Sequence, residues 1–196
     1  MKKVKKVLLL ALCAALLVGA SVTGTMAYLS SKTDTVTNTF SVGNVTITLD
    51  EAPVNELGEE VSGNRRTAND YKLLPGHNYT KDPTVHVDAN SEDCWLFVMV
   101  DNGIEDIEAA DNTIAAQMAA NGWSLVAGEE NVYAYKEVVS ARDNIIVFEE
   151  FTVDSAETDL SAYDDATVVV IAYAVQEDGF GSAAEAWEKA PASWAE

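Results

Sequence analysis

The chain has only two histidines, His77 and His86, and these are the first residues to consider for metal or acid–base chemistry. They stand nine residues apart, and neither belongs to an HExxH sequence, in which two ligands one helical turn apart would share a face and meet zinc. On a strand, an odd spacing directs two side chains to opposite faces unless a bulge, here at Pro83, intervenes. The spacing therefore favours ordinary surface or turn histidines over a metal site.

The other candidates for catalysis are a cysteine and neighbouring carboxylates. Cys94 adjoins the apolar run 95–100, where a free cysteine is typically a buried small hydrophobe; a reactive thiol or an intermolecular bridge is the alternative. Glu149 and Glu150 could act as a carboxylate pair, but such neighbours are expected among 32 acidic residues and would face opposite sides of a strand. These patterns predict no catalytic residue, no metal ligand and no cofactor, and hence no enzyme.

The first 27 residues have the three regions of a secretory signal peptide. Four lysines precede an uncharged run over residues 7–22. Small residues, Thr25 and Ala27, occupy the −3 and −1 positions of a cut between Ala27 and Tyr28. An uncleaved membrane anchor is the alternative, but this run is shorter than the roughly 20 mostly apolar residues of a spanning helix. We therefore expect a signal peptidase to remove residues 1–27 and the protein to be secreted.

Residues 28–196 are enough for a single domain with a hydrophobic core. They hold 8 basic residues, since four of the 12 belong to the signal, against 32 acidic ones, which gives a formal net charge of −24. This charge repels nucleic-acid phosphates and anionic membranes, so neither is expected as a partner, whereas divalent cations could serve as counter-ions. With Cys94 as the one remaining cysteine, no intramolecular disulfide can form and the domain must rely on packing.

Apolar patterns along the chain predict seven or eight short strands. Residues 33–49 alternate, with a change of parity at Gly43 that indicates a turn or a bulge. The loop over 50–70 is expected to be exposed and to hold at most a weak hairpin. Further strands are predicted over residues 79–87 (with Pro83 marking an edge or a bulge), 94–101, 123–126, 131–139, 144–153 and 168–175.

The predicted fold is mainly all-β. The continuously apolar runs 94–101 and 168–175 predict strands covered on both faces. Residues 105–120 predict an amphipathic helix, and residues 182–190 predict a short C-terminal helix with a serine N-cap. Because helices do not follow each strand, an antiparallel β-sandwich over residues 28–196, with one inserted helix and a short C-terminal helix, is favoured over a parallel α/β sheet.

The junction between the apolar run and the first strand resembles a known family. The sequence TMAYL at residues 25–29, followed by TDTVTNTFSVGNV at residues 33–45, is similar to the AYFTD…TNTFTVGNV pattern of Gram-positive secreted proteins cut by the SipW-type signal peptidase. These proteins form the TasA/camelysin family. The segment LPG at 74–76 with Lys81-Asp82, and the segment AYAVQ at 172–176, resemble later parts of the family, although His77 replaces the usual acidic residue after Pro-Gly.

This resemblance implies a jelly-roll-like sandwich secreted to the cell surface or biofilm matrix, where TasA-like members assemble as homo-oligomers into extracellular fibres. Camelysin-like members are described as metallopeptidases, which is the alternative function. In the fibre-forming members, the segment freed by signal cleavage acts as a donor strand for the next subunit; the alternative is that residues 28–49 form the first strands of their own sandwich. The candidate residues of the assembly strand are Tyr28, Leu29, Val36, Phe40 and Val42.

Overall fold

The structure is a computed structural model, and it describes residues 3–6 and 43–190. Residues 3–6 are helical, and residues 43–190 form a mainly β domain in which all paired strands are antiparallel. No helix within these two ranges is long and apolar enough to cross a membrane. Most of the expected signal peptide, its cut between Ala27 and Tyr28, and the other candidate assembly residues (Leu29, Val36, Phe40 and Val42) lie outside the described residues.

The described domain contains nine strands, two α-helices and two short 3₁₀ helices. The strands pair as three sheets with the orders β1-β3-β7, β2-β8 and β5-β6-β4-β9. The 3₁₀ helices are Glu105–Ile107 and Ser161–Tyr163, and the α-helices are α1 (Ile114–Ala120) and α2 (Ala183–Trp187). The strands are β1 (Ile47–Asp50), β2 (Asn78–Thr80), β3 (Thr84–Val87), β4 (Cys94–Asn102), β5 (Trp123–Leu125), β6 (Val132–Tyr135), β7 (Asn144–Ile146), β8 (Glu150–Thr152) and β9 (Val168–Gln176).

Strands β2 and β3 are two parts of one long strand that is interrupted at Pro83, and β8 and β7 form its partner. The register is the same on both sides of the interruption, since Asn78 pairs with Thr152 and His86 pairs with Asn144. Backbone hydrogen bonds continue between the two pairs of strands, and one of them ends on the carbonyl of Pro83. Because proline has no N–H for the ladder, the strand breaks there, as its sequence predicts.

Side chains from all three sheets pack into one core, which supports the expected sandwich. Tyr79 of β2 stacks on Phe151 of β8 with ring centroids 4.7 Å apart, and the Tyr71 ring packs nearly perpendicular to both. Leu96 and Val98 of β4 extend the same core from the four-stranded sheet. The all-β prediction is therefore confirmed for the described domain.

The two continuously apolar strands differ in burial. Leu96, Phe97 and Val98 of β4 are fully buried, which confirms the prediction of a central strand covered on both faces. The same prediction for β9 is wrong, because Val169 and Ile171 are 40% and 39% exposed. The core contacts of β9 come from alternate residues, Val168, Val170, Ala172 and Ala174, whereas Val169 and Ile171 point to the other face, so only one face of the strand meets the core.

The predicted helix over 105–120 is shorter than expected. A 3₁₀ turn forms at Glu105–Ile107, and α1 begins only at Ile114, where the Thr113 side chain accepts a backbone N–H as the N-cap. The apolar period is satisfied by both elements, since Ile107, Ile114 and Met118 are all buried. The C-terminal helix begins after the predicted serine cap.

The loop over 50–70 departs most from its prediction. Its weak hairpin is present as isolated bridges that pair Glu51 with Arg66 and Val54 with Glu60. Its beginning is not exposed, because Glu51 and Val54 are only 4% and 5% accessible. The polar sequence predicted that the loop is exposed to solvent, but Glu51 is buried because it has polar partners inside the fold.

The environment of Cys94 yields a prediction for thiol chemistry. Burial, with smaller contributions from the charges of Asp93 and Asp143, raises the pKa of the Cys94 thiol from 9.0 to about 11. At pH 8 the thiolate fraction should therefore be about a hundredfold lower than in the unfolded chain, before any loss of access is counted. We expect slow reaction with a disulfide reagent in buffer and rapid reaction in urea, with a Cys94→Ala variant as the blank. Equal rates in both solvents would contradict the assigned burial.

Candidate functional site

A cleft of about 690 Å³ opens between the end of β1, the loop after residue 66 and the beginning of β9. This volume lies within the roughly 300 to 1,000 Å³ that is typical of ligand sites. Its apolar wall includes Leu49, Leu73, Ile104, Phe151, Val168 and Val170, and its polar wall includes Glu51, Asn69, Tyr71 and Lys81. Apolar walls around a few converging polar groups are the composition expected of a site for chemistry or binding.

One carboxylate in this cleft binds two nitrogen groups. Lys81 Nζ lies 2.6 Å from Glu51 Oε2, and the two side chains are only 11% and 6% exposed. Asn69 Nδ2 donates to the other oxygen, Glu51 Oε1, at 2.8 Å. A buried ion pair is tolerated only when its geometry is good and its remaining hydrogen-bonding capacity is used, and the Glu51 carboxylate meets both conditions because each of its oxygens has a nitrogen partner.

Backbone contacts fix the orientation of the Asn69 amide. Its Nδ2 also donates to the carbonyl of Ala52 at 2.9 Å, and its Oδ1 accepts the N–H of Val54 at 3.1 Å. Glu51 itself exchanges two backbone hydrogen bonds with Arg66, each of 2.8 Å. The carboxylate and the amide are thus held by the same short hairpin.

The wall around the amine is aromatic. Lys81 Nζ lies 5.8 Å from the centre of the Tyr71 ring, within the range of a cation–π contact. Tyr71 donates its hydroxyl hydrogen to the carbonyl of Thr80 at 3.0 Å. Burial, with help from the negative charges of Glu51 and Asp82, raises the pKa of Tyr71, so this hydroxyl stays protonated at neutral pH.

A second polar network lies around Asp50, the residue before Glu51. Arg65 forms ion pairs with Asp50 and with Asp82, the latter at 2.8 Å, and His86 Nε2 lies 2.9 Å from Asp50 Oδ1. The other ring nitrogen of His86 contacts the side chain of Asn144. Desolvation alone would raise the pKa of Asp50, but the hydrogen bonds and charges of Arg65 and His86 outweigh it and lower this pKa.

The two histidines do not meet in the structure. His77 contacts the carbonyl of Leu57 at 2.8 Å and packs at a steep angle against the Tyr79 ring, whereas His86 belongs to the Asp50 network. Within residues 3–6 and 43–190, no group of three or more His, Cys, Asp and Glu side chains could hold a metal ion. The metallopeptidase alternative thus gains no support from these residues.

The outer edge of β9 is the second candidate site. Gly103 N–H donates to Thr167 O at one end of the β4–β9 pairing, and Glu177 N–H donates to Asp93 O at the other end. Because the hydrogen-bonding direction alternates along a strand, residues 168, 170, 172 and 174 turn their N–H and C=O groups away from β4. Among the described strands, none pairs with this side of β9.

The chain enters the described domain close to the C-terminal end of β9. Gly43 lines a depression together with Ser91, Glu92 and residues 176–178, which are the last residue of β9 and the two that follow it. The residues before Gly43, which carry the candidate assembly positions, are therefore joined to the domain near this end of the strand.

Sequence reasoning did not single out Glu51, Asn69 and Lys81 as a group. They are separated by 18 and 12 positions and share no local motif, and Glu51 is one of 32 acidic residues. Only the three-dimensional fold brings them together.

Comparisons of the chain with family models, with curated proteins and with solved structures find no match. The functional interpretation therefore depends on the geometry of the cleft, on the β9 edge and on the sequence patterns described above.

The Asp50 network yields a prediction for pH dependence. Because the folded-state pKa of Asp50 lies below its usual value, its stabilising contribution is complete above the unfolded-state pKa and is lost as the pH falls through the folded-state pKa. Asp50→Asn should lower the free energy of unfolding by about 1 kcal/mol at pH 7, the upper part of the range for partly exposed ion pairs. The difference from wild type should shrink between pH 4 and pH 2.

Urea unfolding at several pH values measures this difference, with Asp111→Asn as the matched control because Asp111 is exposed. An Asp50→Asn deficit that is the same at acidic and neutral pH would contradict the assigned role of the carboxylate.

Proposed function

We propose that this protein is a secreted structural subunit of the cell surface or biofilm matrix that assembles into fibres. Assembly would occur by donor-strand exchange: residues 28–42 of one copy pair with the outer edge of β9 in the next copy. The observation that carries the proposal is this nine-residue edge, which has no partner strand among the described residues.

The exposed backbone of β9 suits the addition of a strand. Its outward N–H and C=O groups would supply main-chain hydrogen bonds, and these give affinity in β-augmentation. Val169 and Ile171 leave apolar surface exposed on the same strand, so an added neighbour would also gain apolar contacts. Unpaired, apolar sheet edges are sites at which chains associate.

The sequence before the domain suits the role of the added strand. Val36, Phe40 and Val42 share one parity, so an extended segment would present them on one face. The resemblance of residues 25–45 to secreted TasA/camelysin proteins supports the same assignment. Cleavage after Ala27 would free Tyr28 as the new N-terminus and so permit exchange.

Electrostatics should control the assembly. A formal charge of −24 on each mature subunit opposes their approach, and salt, divalent cations or acid reduce that repulsion. Divalent cations would act here as counter-ions and not as ligands of a dedicated site.

Two complementary variants test the strand exchange. Deletion of residues 28–40 removes the donor but keeps the acceptor edge, whereas Ala172→Pro removes an outward N–H of β9 but keeps the donor. Proline is tolerated at a strand edge where its N–H would face solvent, so the variant is expected to fold. Each variant alone should stay monomeric, and an equimolar mixture should give a 1:1 dimer and no fibres, as measured by light scattering with mass analysis.

Ala172→Val is the matched control, because it keeps the N–H and adds a strand-favouring side chain. It should form fibres like wild type under negative-stain electron microscopy. Fibres from the deletion variant, or a mixture that remains monomeric, would contradict donor-strand exchange.

A further inference from the structure

The Glu51 cluster has the parts of a self-reaction between two side chains. Lys81 supplies a primary amine, Asn69 supplies a carboxamide, and Glu51 contacts the reactive nitrogen of each, at 2.6 Å and 2.8 Å. An ordinary buried ion pair needs only the amine of Lys81 and the carboxylate of Glu51, not the carboxamide of Asn69. We propose that Lys81 and Asn69 form an intramolecular isopeptide bond, with Glu51 as the catalytic proton carrier.

The reaction is an amide exchange that needs no oxidant or added co-reactant. Lys81 passes a proton to Glu51, and the neutral Nζ attacks Cγ of Asn69. Glu51 then gives a proton to the departing Nδ2 and takes one from the attacking nitrogen. The Cγ–Nδ2 bond breaks, ammonia leaves, and an Nζ–Cγ amide remains. Glu51 finishes the exchange in the protonation state in which it entered the attack.

The surroundings of the cluster favour each step. The Val54 N–H that contacts Asn69 Oδ1 at 3.1 Å would stabilise the oxyanion that develops on this oxygen. The contact of Nδ2 with the Ala52 carbonyl keeps the amide plane fixed, so both reactants are held in one orientation before the attack. Two backbone contacts thus hold the carboxamide, and one carboxylate contacts the nitrogen of both reactants.

The cluster combines low exposure with a route to solvent. The Lys81 side chain is 11% exposed and lies over the Tyr71 ring, and the Glu51 side chain is 6% exposed. Limited water protects the carboxamide from hydrolysis. The side chains of Glu51, Asn69, Lys81 and Tyr71 all line the 690 Å³ cleft, and this cleft offers the released ammonia a route to solvent.

The link would close the chain between the loop at Asn69 and the end of β2 at Lys81. A bond at this position fastens the polar hairpin to the long β2–β3 strand. In a mature chain whose one cysteine is buried, it would provide the covalent staple that a disulfide cannot. This inference does not depend on fibre assembly.

Peptide mapping of the exported, purified wild-type protein tests the bond. Trypsin should release residues 67–72 as a free peptide if Asn69 is unlinked, and it should cut after Lys81 if that amine is free. We expect neither product: residues 67–72 should remain attached to a peptide that contains Lys81, with a combined mass lower by one ammonia, about 17 Da. Tandem mass spectrometry identifies the two linked side chains.

Three variants define the chemistry. Glu51→Gln keeps both reactants but removes the proton carrier, so the free 67–72 peptide should appear. The double variant Glu51→Gln/Lys81→Met leaves no unpaired buried charge and should be folded and unlinked. Lys136→Met changes a lysine whose side chain is 57% exposed and should keep the link.

Two results would overturn the inference. One is full release of residues 67–72 from folded wild-type protein. The other is an ammonia loss confined to residues 67–72, which indicates a succinimide at Asn69 and not a bond to Lys81. A link that persists in Glu51→Gln would remove Glu51 from the reaction.

Discussion

The contacts of the buried Glu51 carboxylate with Lys81 and Asn69 organise the cleft side of the domain. Two charges removed from water are stable only when their partners are complete, and Glu51 uses both oxygens, one for Lys81 and one for Asn69. Asn69 in turn is held by backbone groups of the hairpin that follows β1. A stretch with no apolar period is therefore ordered by polar contacts, and the cleft has a defined wall because of them.

The break in the long strand at Pro83 separates the residues that join the two polar networks near the cleft. It separates β2 from β3 without changing the register, so one long antiparallel pair contributes to two sheets. Lys81, two residues before the break, joins the Glu51 cluster, and His86, three residues after it, joins the Asp50 network. Since Asp50 and Glu51 are neighbours at the end of β1, the end of this one strand supplies a carboxylate to each of the two networks.

Local patterns in the sequence were sufficient to predict most of the strands but not to predict the candidate sites. The run 94–101 predicts a central strand, and β4 is one; the identical pattern at 168–175 misled, because a continuous apolar run does not show whether a second layer covers the strand. The helix over 105–120 was predicted too long, since the period of its apolar residues continues across a 3₁₀ turn and a cap. Glu51, Asn69 and Lys81 meet only through tertiary folding, and the assembly residues remain predictions because they lie outside the described residues.

In the proposed assembly, the distribution of charge would make β9 a selective edge. Open apolar edges tend to associate without discrimination, and proteins usually protect them with charged residues or proline, yet the stretch VVVIAYAV at 168–175 contains neither. The formal charge of the mature chain would protect it instead, because two subunits of the same sign repel each other at long range. Residues 28–42 carry one lysine and one aspartate and thus no net charge, so they would not add to this repulsion. A neutral, alternating segment could therefore approach an edge from which the strongly acidic domains would exclude one another.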